Sequence, residues 1–269
     1  MKNQIIAEIK DYIKTYEERP SIATVWGEPL VGFAYAHHPD ISELKTVVSP
    51  SHVLPCEVLK NATTIIAYFL PFTKALSLTN KGGTIASPEW AQTYEETNAL
   101  FAELNTHMIE FLQNAGYAAS VSPEATTFDR NTLKSNWSQR HIARIAGLGT
   151  FGFNNMLITE VGCCGRISSI ITNLEISPDA PQTEDRCLYK RNGTCLACIK
   201  NCPSGALTSQ NFDRKKCFAT CQKNAALYKD FGNSYAANAG DETLDTGSEV
   251  CGKCVAGMPC AFLNHKKSG

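Results

Sequence analysis

No stretch of this 269-residue chain is apolar enough to cross a membrane, and no charge of one sign dominates it. A membrane span would take about 20 consecutive apolar residues. With 25 basic and 26 acidic residues the formal net charge is −1, so nothing drives the whole molecule towards nucleic acid or a lipid surface. Tandem repeats are missing, and no serine sits in a nucleophile elbow, so repeat architectures and triad hydrolases are not expected. The first twenty residues also lack the unbroken apolar run of a signal peptide. Instead Ile5, Ile6, Ile9, Tyr12 and Ile13 recur at helical spacing with charges between them, which predicts an amphipathic helix. The expected compartment is the cytoplasm, with no membrane association.

Cysteine is what the chain has in excess. Nine of its twelve cysteines lie between Cys187 and Cys260, and in a reducing compartment such density points to metal ligation before disulfides. The central phrase is Cys195-LA-Cys198-IKN-Cys202-Pro203. C-x2-C-x3-C-P is the tail of the bacterial ferredoxin pattern for cubane iron–sulfur clusters. A C-x2-C pair lets two thiolates grip one cluster, and the cysteine three residues on reaches a second. Pro203 is expected to open a helix, where its missing N–H costs nothing. Zinc is the competing reading, because paired C-x2-C also marks zinc ribbons. Such ribbons do not ask for the C-x3-C-P ending.

Two cubanes need eight thiolates, and the pattern assigns them. Cys187, Cys195, Cys198 and the late Cys260 are expected to hold one 4Fe–4S cluster; Cys202, Cys217, Cys251 and Cys254 are expected to hold the other. Cys187 is set off by an unusual C-x7-C gap, and Cys221 is an alternative to Cys217. Cys56, Cys163 and Cys164 fall outside the pattern and read as small buried hydrophobes.

The rest of the chain predicts an α+β domain over residues 1–178, followed by a ferredoxin-type module over 179–269. Thr63-TIIAYFL is a continuous apolar run ended by Pro71, as in a strand buried on both faces. Ser87-Pro88-Glu89 opens a long helix with Trp90, Tyr94, Phe101, Leu104, Met108 and Phe111 on its apolar side, stopped at Gly116. A short helix is expected over Asn136–Ala146, closed by Gly147, and strands over Tyr117–Val121, Leu157–Val161 and Ile167–Ile176. The Asn-, Gly- and Ser-rich stretch between Tyr228 and Glu249 reads as an excursion. His37, His38 and His141 read as surface or internally satisfied histidines.

Gly147-Leu-Gly149-Thr-Phe-Gly152 spells the dinucleotide fingerprint G-x-G-x-x-G. That fingerprint needs a strand before it and a helix after it. Here a helix precedes and a strand follows, so a nicotinamide site is not expected. Near the first cysteines, Arg186, Lys190, Arg191, Lys200, Arg214, Lys215, Lys216 and Lys223 outnumber the acid Asp213. A solvated basic face explains them, as does a docking face for an acidic electron donor such as ferredoxin or flavodoxin.

At Gly147-LGTFGFNNMLIT and the cysteines, the chain resembles the epoxyqueuosine reductase family of iron–sulfur, cobalamin-dependent reductases. The family's G-L-G-x-x-G-x-N-x-x-L-I is matched by Gly147, Gly149, Gly152, Asn154, Leu157 and Ile158 after Gln139-Arg140. Its C-x3-C-P, isolated cysteine and final C-x2-C pair are matched by Cys202-Pro203, Cys217 and Cys251/Cys254. The likeness covers roughly residues 130–262. It implies a first domain of the cobalamin-reductase, nitroreductase-like type, akin to reductive dehalogenases. It also implies a possible corrinoid (cobalamin) held against Gly147, Gly149, Gly152 and Asn154. There are three departures. The family's D-T-A-P segment, whose aspartate donates a proton, is Leu133-Lys-Ser-Asn136 here, leaving Asp129 as the nearest acid. The last cysteine comes by C-x5-C after Pro259. No helical-repeat domain for tRNA follows within these residues. The expectation is an iron–sulfur reductase with tRNA an unlikely substrate; the alternative is a non-catalytic electron-transfer or corrinoid-reactivating protein.

Overall fold

In chain order the strands are β1 (Leu30–Tyr35), β2 (Thr64–Pro71), β3 (Ala119–Val121), β4 (Phe128–Asp129), β5 (Lys134–Ser135), β6 (Gly149–Phe151), β7 (Leu157–Thr159) and β8 (Gly165–Thr172). They are seen in a computed structural model that describes residues 1–121, 128–234 and 247–263. The main sheet has the order β1-β2-β8-β3 with every neighbour antiparallel, while β4-β5 and β6-β7 are separate hairpins. The architecture is mixed α/β.

The β2 run explains the layering. All eight of its residues are buried, and successive side chains of a strand point to opposite faces. Ile66, Tyr68 and Leu70 enter one core with Ile5, Ile9, Leu100, Leu104 and Met108. Ile65, Ala67 and Phe69 enter another with Trp137, Ile142 and Ile145. The N-terminal helix (Lys2–Glu17) and the long helix (Pro88–Asn114) therefore cover one face, and the short helix Gln139–Ile145 covers the other. The cysteine-rich segments share the first of these cores: Cys187, Val250, Val255, Ala256 and Ala261 are buried in the same cluster as Trp90 and Ile158.

The helix signals act as read. Ser87 Oγ accepts the backbone N–H of Trp90 at 3.2 Å, and Pro88 occupies the first turn. Gly147, at φ +78°, follows the short helix in the left-handed region that its closing turn requires. That helix begins at Gln139, later than expected, because the preceding residues are taken by side chains: Ser135 Oγ accepts from Trp137 N, and His52 Nε2 accepts from Ser138 N. Strand β8 stops at Thr172 and not at Ile176. Beyond it Thr64 Oγ1 donates to Leu174 O and accepts from Ile176 N, so a side chain replaces the strand ladder. Most of the stretch expected as an excursion lies outside the described residues; its near flank forms a single 3₁₀ turn, Lys229–Phe231.

Two histidines brace the short helix. His52 is fully buried and stacked on Trp137, and His141 Nδ1 lies 2.7 Å from Ser138 Oγ. Burial first, then the charges of Arg140, His52 and Arg144, lowers the His141 pKa to about 4. An imidazole that is neutral when folded and titrates near 6.5 when unfolded makes the unfolded chain the better proton binder in between. Stability should therefore fall as pH drops from about 6.5 towards 4. Urea unfolding at pH 7 and pH 5 should show a smaller loss in His141→Asn than in the parent protein.

Candidate metal centre

Each cysteine of interest is delivered by a short, separately anchored piece of chain. Cys187 precedes the helical turn Leu188–Asn192, and Cys198 lies in the turn Ala197–Lys200. Pro203 does not open a helix. Ser204 Oγ accepts from Ala206 N, and the chain bends into a bridge between Leu207 and Phe212. Asp213 then accepts the N–H of Lys216 and caps the helix Arg214–Leu227, whose fourth residue is Cys217. Cys221 lies four residues on, which places the two thiols on one face of that helix.

The late cysteines are pinned through their backbone carbonyls. Asn80 Nδ2 donates to Cys251 O at 2.8 Å, Asn154 Nδ2 donates to Cys254 O at 2.8 Å, and Cys163 N donates to Cys260 O at 2.9 Å. All three donors come from the earlier part of the chain. Asn224 adds a fourth tie, donating to Val250 O at 2.7 Å while its Oδ1 accepts Ala86 N.

These ties gather the thiols in two places. Cys187, Cys195, Cys198 and Cys260 line one cavity of about 500 Å³, together with Gly152, Asn154 and Pro259. This is the first set expected from the sequence, and it joins residues from two distant segments. The Cys198 thiol is pushed up to about 11, by burial first and then by the neighbouring thiols of Cys260, Cys187 and Cys195. The second group is recognised by the influence its thiols have on one another, each disfavouring its neighbours' ionisation. Burial chiefly, then Cys251, Cys217 and Cys202, raises the Cys254 thiol far above its ordinary range, and Cys251 is raised by burial with help from Cys217 and Cys202. At Cys202 burial works upward, but hydrogen bonds from Ser204 Oγ and the N–H groups of Leu207, Ser204 and Ala206 bring the thiol below its usual value. Cys221 bonds to Cys217, holding the Cys217 thiol low and its own high. Among the described residues no three His, Cys, Asp or Glu are arranged to hold a single metal ion.

The three off-pattern cysteines divide. Cys164 is buried as expected. Cys56 is exposed, because it sits in the surface turn Pro55–Val58 that buries only its proline. Cys163 is buried, but it is more than a small hydrophobe: its Sγ lies 3.7 Å from Cys260 Sγ, and their contact lowers the Cys260 thiol. No spacing rule could have found it, since the pairing arises where β7 turns back against the 260s.

Gly147, Gly149, Gly152 and Asn154 are brought together, though each already has a partner inside the chain. A Cβ on Gly149 would lie 2.3 Å from Ile158 O, one on Gly152 2.6 Å from Asn154 Oδ1, and one on Gly147 2.7 Å from Ala180 O. The glycines permit close approach of the β6-β7 hairpin to itself and to the 180s. A helix before and a strand after confirm that the dinucleotide fingerprint has the wrong context. Asp129 sits apart, exposed on β4, accepting from Thr132 Oγ1 at 2.6 Å and from the N–H groups of Asn131 and Thr132. Those bonds, the Thr132 hydroxyl foremost, lower its carboxyl pKa. The basic face has more acid than expected, since Arg191 pairs with Glu184 at 3.7 Å, and Arg186 Nε is bonded to Gln182.

Asn154 is the most testable of these anchors. Asn154→Ala leaves the half-buried Cys254 carbonyl without its donor and should cost about 1 kcal/mol. The expected readout is a lower urea midpoint with an unchanged m-value.

No protein-family model matches the chain. It is 32% identical over 222 residues to an epoxyqueuosine reductase of Bacillus anthracis, covering 78% of this chain and 52% of that one. It is 30% identical over 191 residues to one of Listeria monocytogenes, covering 68% and 44%. The chain thus spans about half the length of the curated relatives it matches. In fold it is similar to the solved epoxyqueuosine reductase of Streptococcus thermophilus (TM-score 0.54, 17% identity, 94% of this chain and 65% of that one). It is also similar to a catabolic reductive dehalogenase (TM-score 0.51, 17% identity, 70% and 26%). By sequence over most of its own length, and by fold, the chain is a relative of the epoxyqueuosine reductases.

Proposed function

We propose that the protein carries two 4Fe–4S clusters, the first on Cys187, Cys195, Cys198 and Cys260 and the second on Cys202, Cys217, Cys251 and Cys254. In this reading it acts as a reductase on a substrate other than epoxyqueuosine. The observation that carries this is the cavity in which thiols from 187–198 meet the thiol of Cys260. A single zinc ion draws its ligands to about 2.3 Å of one point, whereas these four surround a volume. Buried thiols that raise one another's pKa are poorly placed as a free set, because four thiolates there need positive charge among them. When bound, such clusters supply low-potential electrons one at a time. The chain's own part is to fix the thiols through Asn80, Asn154 and Cys163 and to exclude water from them.

The relatives' name points to reduction of an epoxide, which calls for a proton delivered to the opening oxygen. A positioned general acid contributes about 10²–10⁴-fold. In the segment 128–136 Leu133 cannot donate, Asn136 is not an acid, and Asp129 is solvent-exposed and held ionised by its three hydrogen bonds. These features favour a different substrate. A corrinoid against Gly147–Asn154, which the resemblance implies, gains no support from those glycines, since internal packing accounts for them; no step is assigned to it. The basic residues around Lys190 and Lys200 suit an acidic electron donor of the ferredoxin or flavodoxin kind. A cytoplasmic location fits reduced thiols.

Anaerobically reconstituted protein should hold about eight iron and eight sulfide per chain. Electron paramagnetic resonance of the reduced protein should lose one signal in Cys195→Ala and the other in Cys202→Ala. Stoichiometric zinc in freshly isolated protein, or loss of the same signal in both variants, sinks the assignment.

Expression in a strain lacking epoxyqueuosine reductase should leave its tRNA without queuosine. Restoration of the modified base would overturn the substrate reading, and its loss again in Asp129→Asn would identify the proton source.

A further inference from the structure

Lys253 occupies the second variable position of Cys251-Gly-Lys-Cys254, and it is buried: only 2% of it is exposed. Lysine is among the residues least often found inside a protein without a partner. Its Nζ donates to the backbone carbonyl of Asn80 at 3.1 Å, and no carboxylate among the described residues lies within ion-pair distance of it. Its own carbonyl accepts from Asn201 Nδ2, next to Cys202. The ammonium is thus trapped between the loop that carries Asn80 and the second group of thiols. Cys251 lies two residues before it and Cys254 directly after it, both in the second group of thiols. Asn80 fixes both neighbours at once, since its Nδ2 holds Cys251 O while its own carbonyl holds the lysine.

An ammonium buried with one carbonyl as its acceptor and no carboxylate beside it is costly to hold charged. The cost is offset if a negative body lies beside it. A cubane held by four thiolates is such a body, and it becomes more negative by one charge on reduction. We propose that Lys253 is the fixed countercharge of the cluster on Cys202, Cys217, Cys251 and Cys254. In that role it raises this cluster's reduction potential above the value its thiolates alone would set, and leaves the first cluster untouched. Lys253 acts through its charge on the cluster, as a positioning residue and not a catalytic one. The inference rests on the two-cluster reading.

The test is an anaerobic potentiometric titration of the cluster-loaded protein, followed by electron paramagnetic resonance, in Lys253→Met, Lys253→Gln and Lys253→Arg. In the neutral variants the signal lost in Cys202→Ala should appear only at a more negative potential. The signal lost in Cys195→Ala should keep its midpoint. Lys253→Arg, which retains the charge, should stay near the parent. Loss of the second cluster's iron in both neutral variants, with retention in Lys253→Arg, also supports the countercharge. Unchanged potentials in the neutral variants overturn it, as does an equal shift of both signals or loss of iron in all three variants. If the parent protein itself lacks two clusters, the reading beneath the proposal has failed, and its iron content shows this separately.

Discussion

Three backbone carbonyls, those of Cys251, Cys254 and Cys260, tie the late cysteines to the rest of the molecule. Their donors sit on three different supports: the loop after the helix Lys74–Thr79, the β6-β7 hairpin, and the turn leading into β8. Hydrogen bonds of this kind, two from asparagine side chains and one from a backbone N–H, are individually worth only about 1 kcal/mol. Their value lies in geometry, because each fixes the main chain at a cysteine and leaves the thiol free to face inward. The sheet matters to function through these supports. Burying β2 on both faces makes the scaffold stiff enough to present Asn80, Asn154 and Cys163 at fixed separations.

The extent to which all this was legible in the sequence depends on the range of the interaction. Local chemistry was readable: the Ser87 cap, the turn at Gly147, and the apolar run of β2. That run declares burial on both faces and says nothing of strand direction, and the sheet proves antiparallel throughout. The spacing also brought together Cys187, Cys195, Cys198 and Cys260, which line one cavity. Readings failed where a side chain took over a backbone role, as Thr64 does beyond β8 and Ser204 does after Pro203. Cys163 was invisible for another reason. Its proximity to Cys260 is created by tertiary packing, with no periodicity or spacing to announce it.

Relatedness and chemistry diverge in an instructive way. The β6-β7 hairpin and the cysteines keep the resemblance to the epoxyqueuosine reductases, and both are parts that the fold itself needs. Gly149 and Gly152 could not be replaced without a collision inside the chain. The 128–136 hairpin, by contrast, is exposed over residues 128–132 and touches the helix Arg214–Leu227 through Phe128 and Arg130 against Phe218. Its exposed part, residues 128–132, is the part least tied to the scaffold, because Leu133 and Asn136 are buried. Persistence of the glycine loop therefore reports on architecture, and the identity of the substrate has to be sought elsewhere.

The cavity that joins Cys187, Cys195 and Cys198 to Cys260 also sets an order of events during synthesis. Three of its thiols leave the ribosome well before the fourth, which arrives with a segment buried against earlier parts of the chain, Trp90 and Ile158 among them. Until then the other three thiols line a cavity that lacks its Cys260 wall. Contacts this distant in sequence form late, after the cost of closing the intervening loop has been met. Closure of the cavity thus draws on the same core as the long helix.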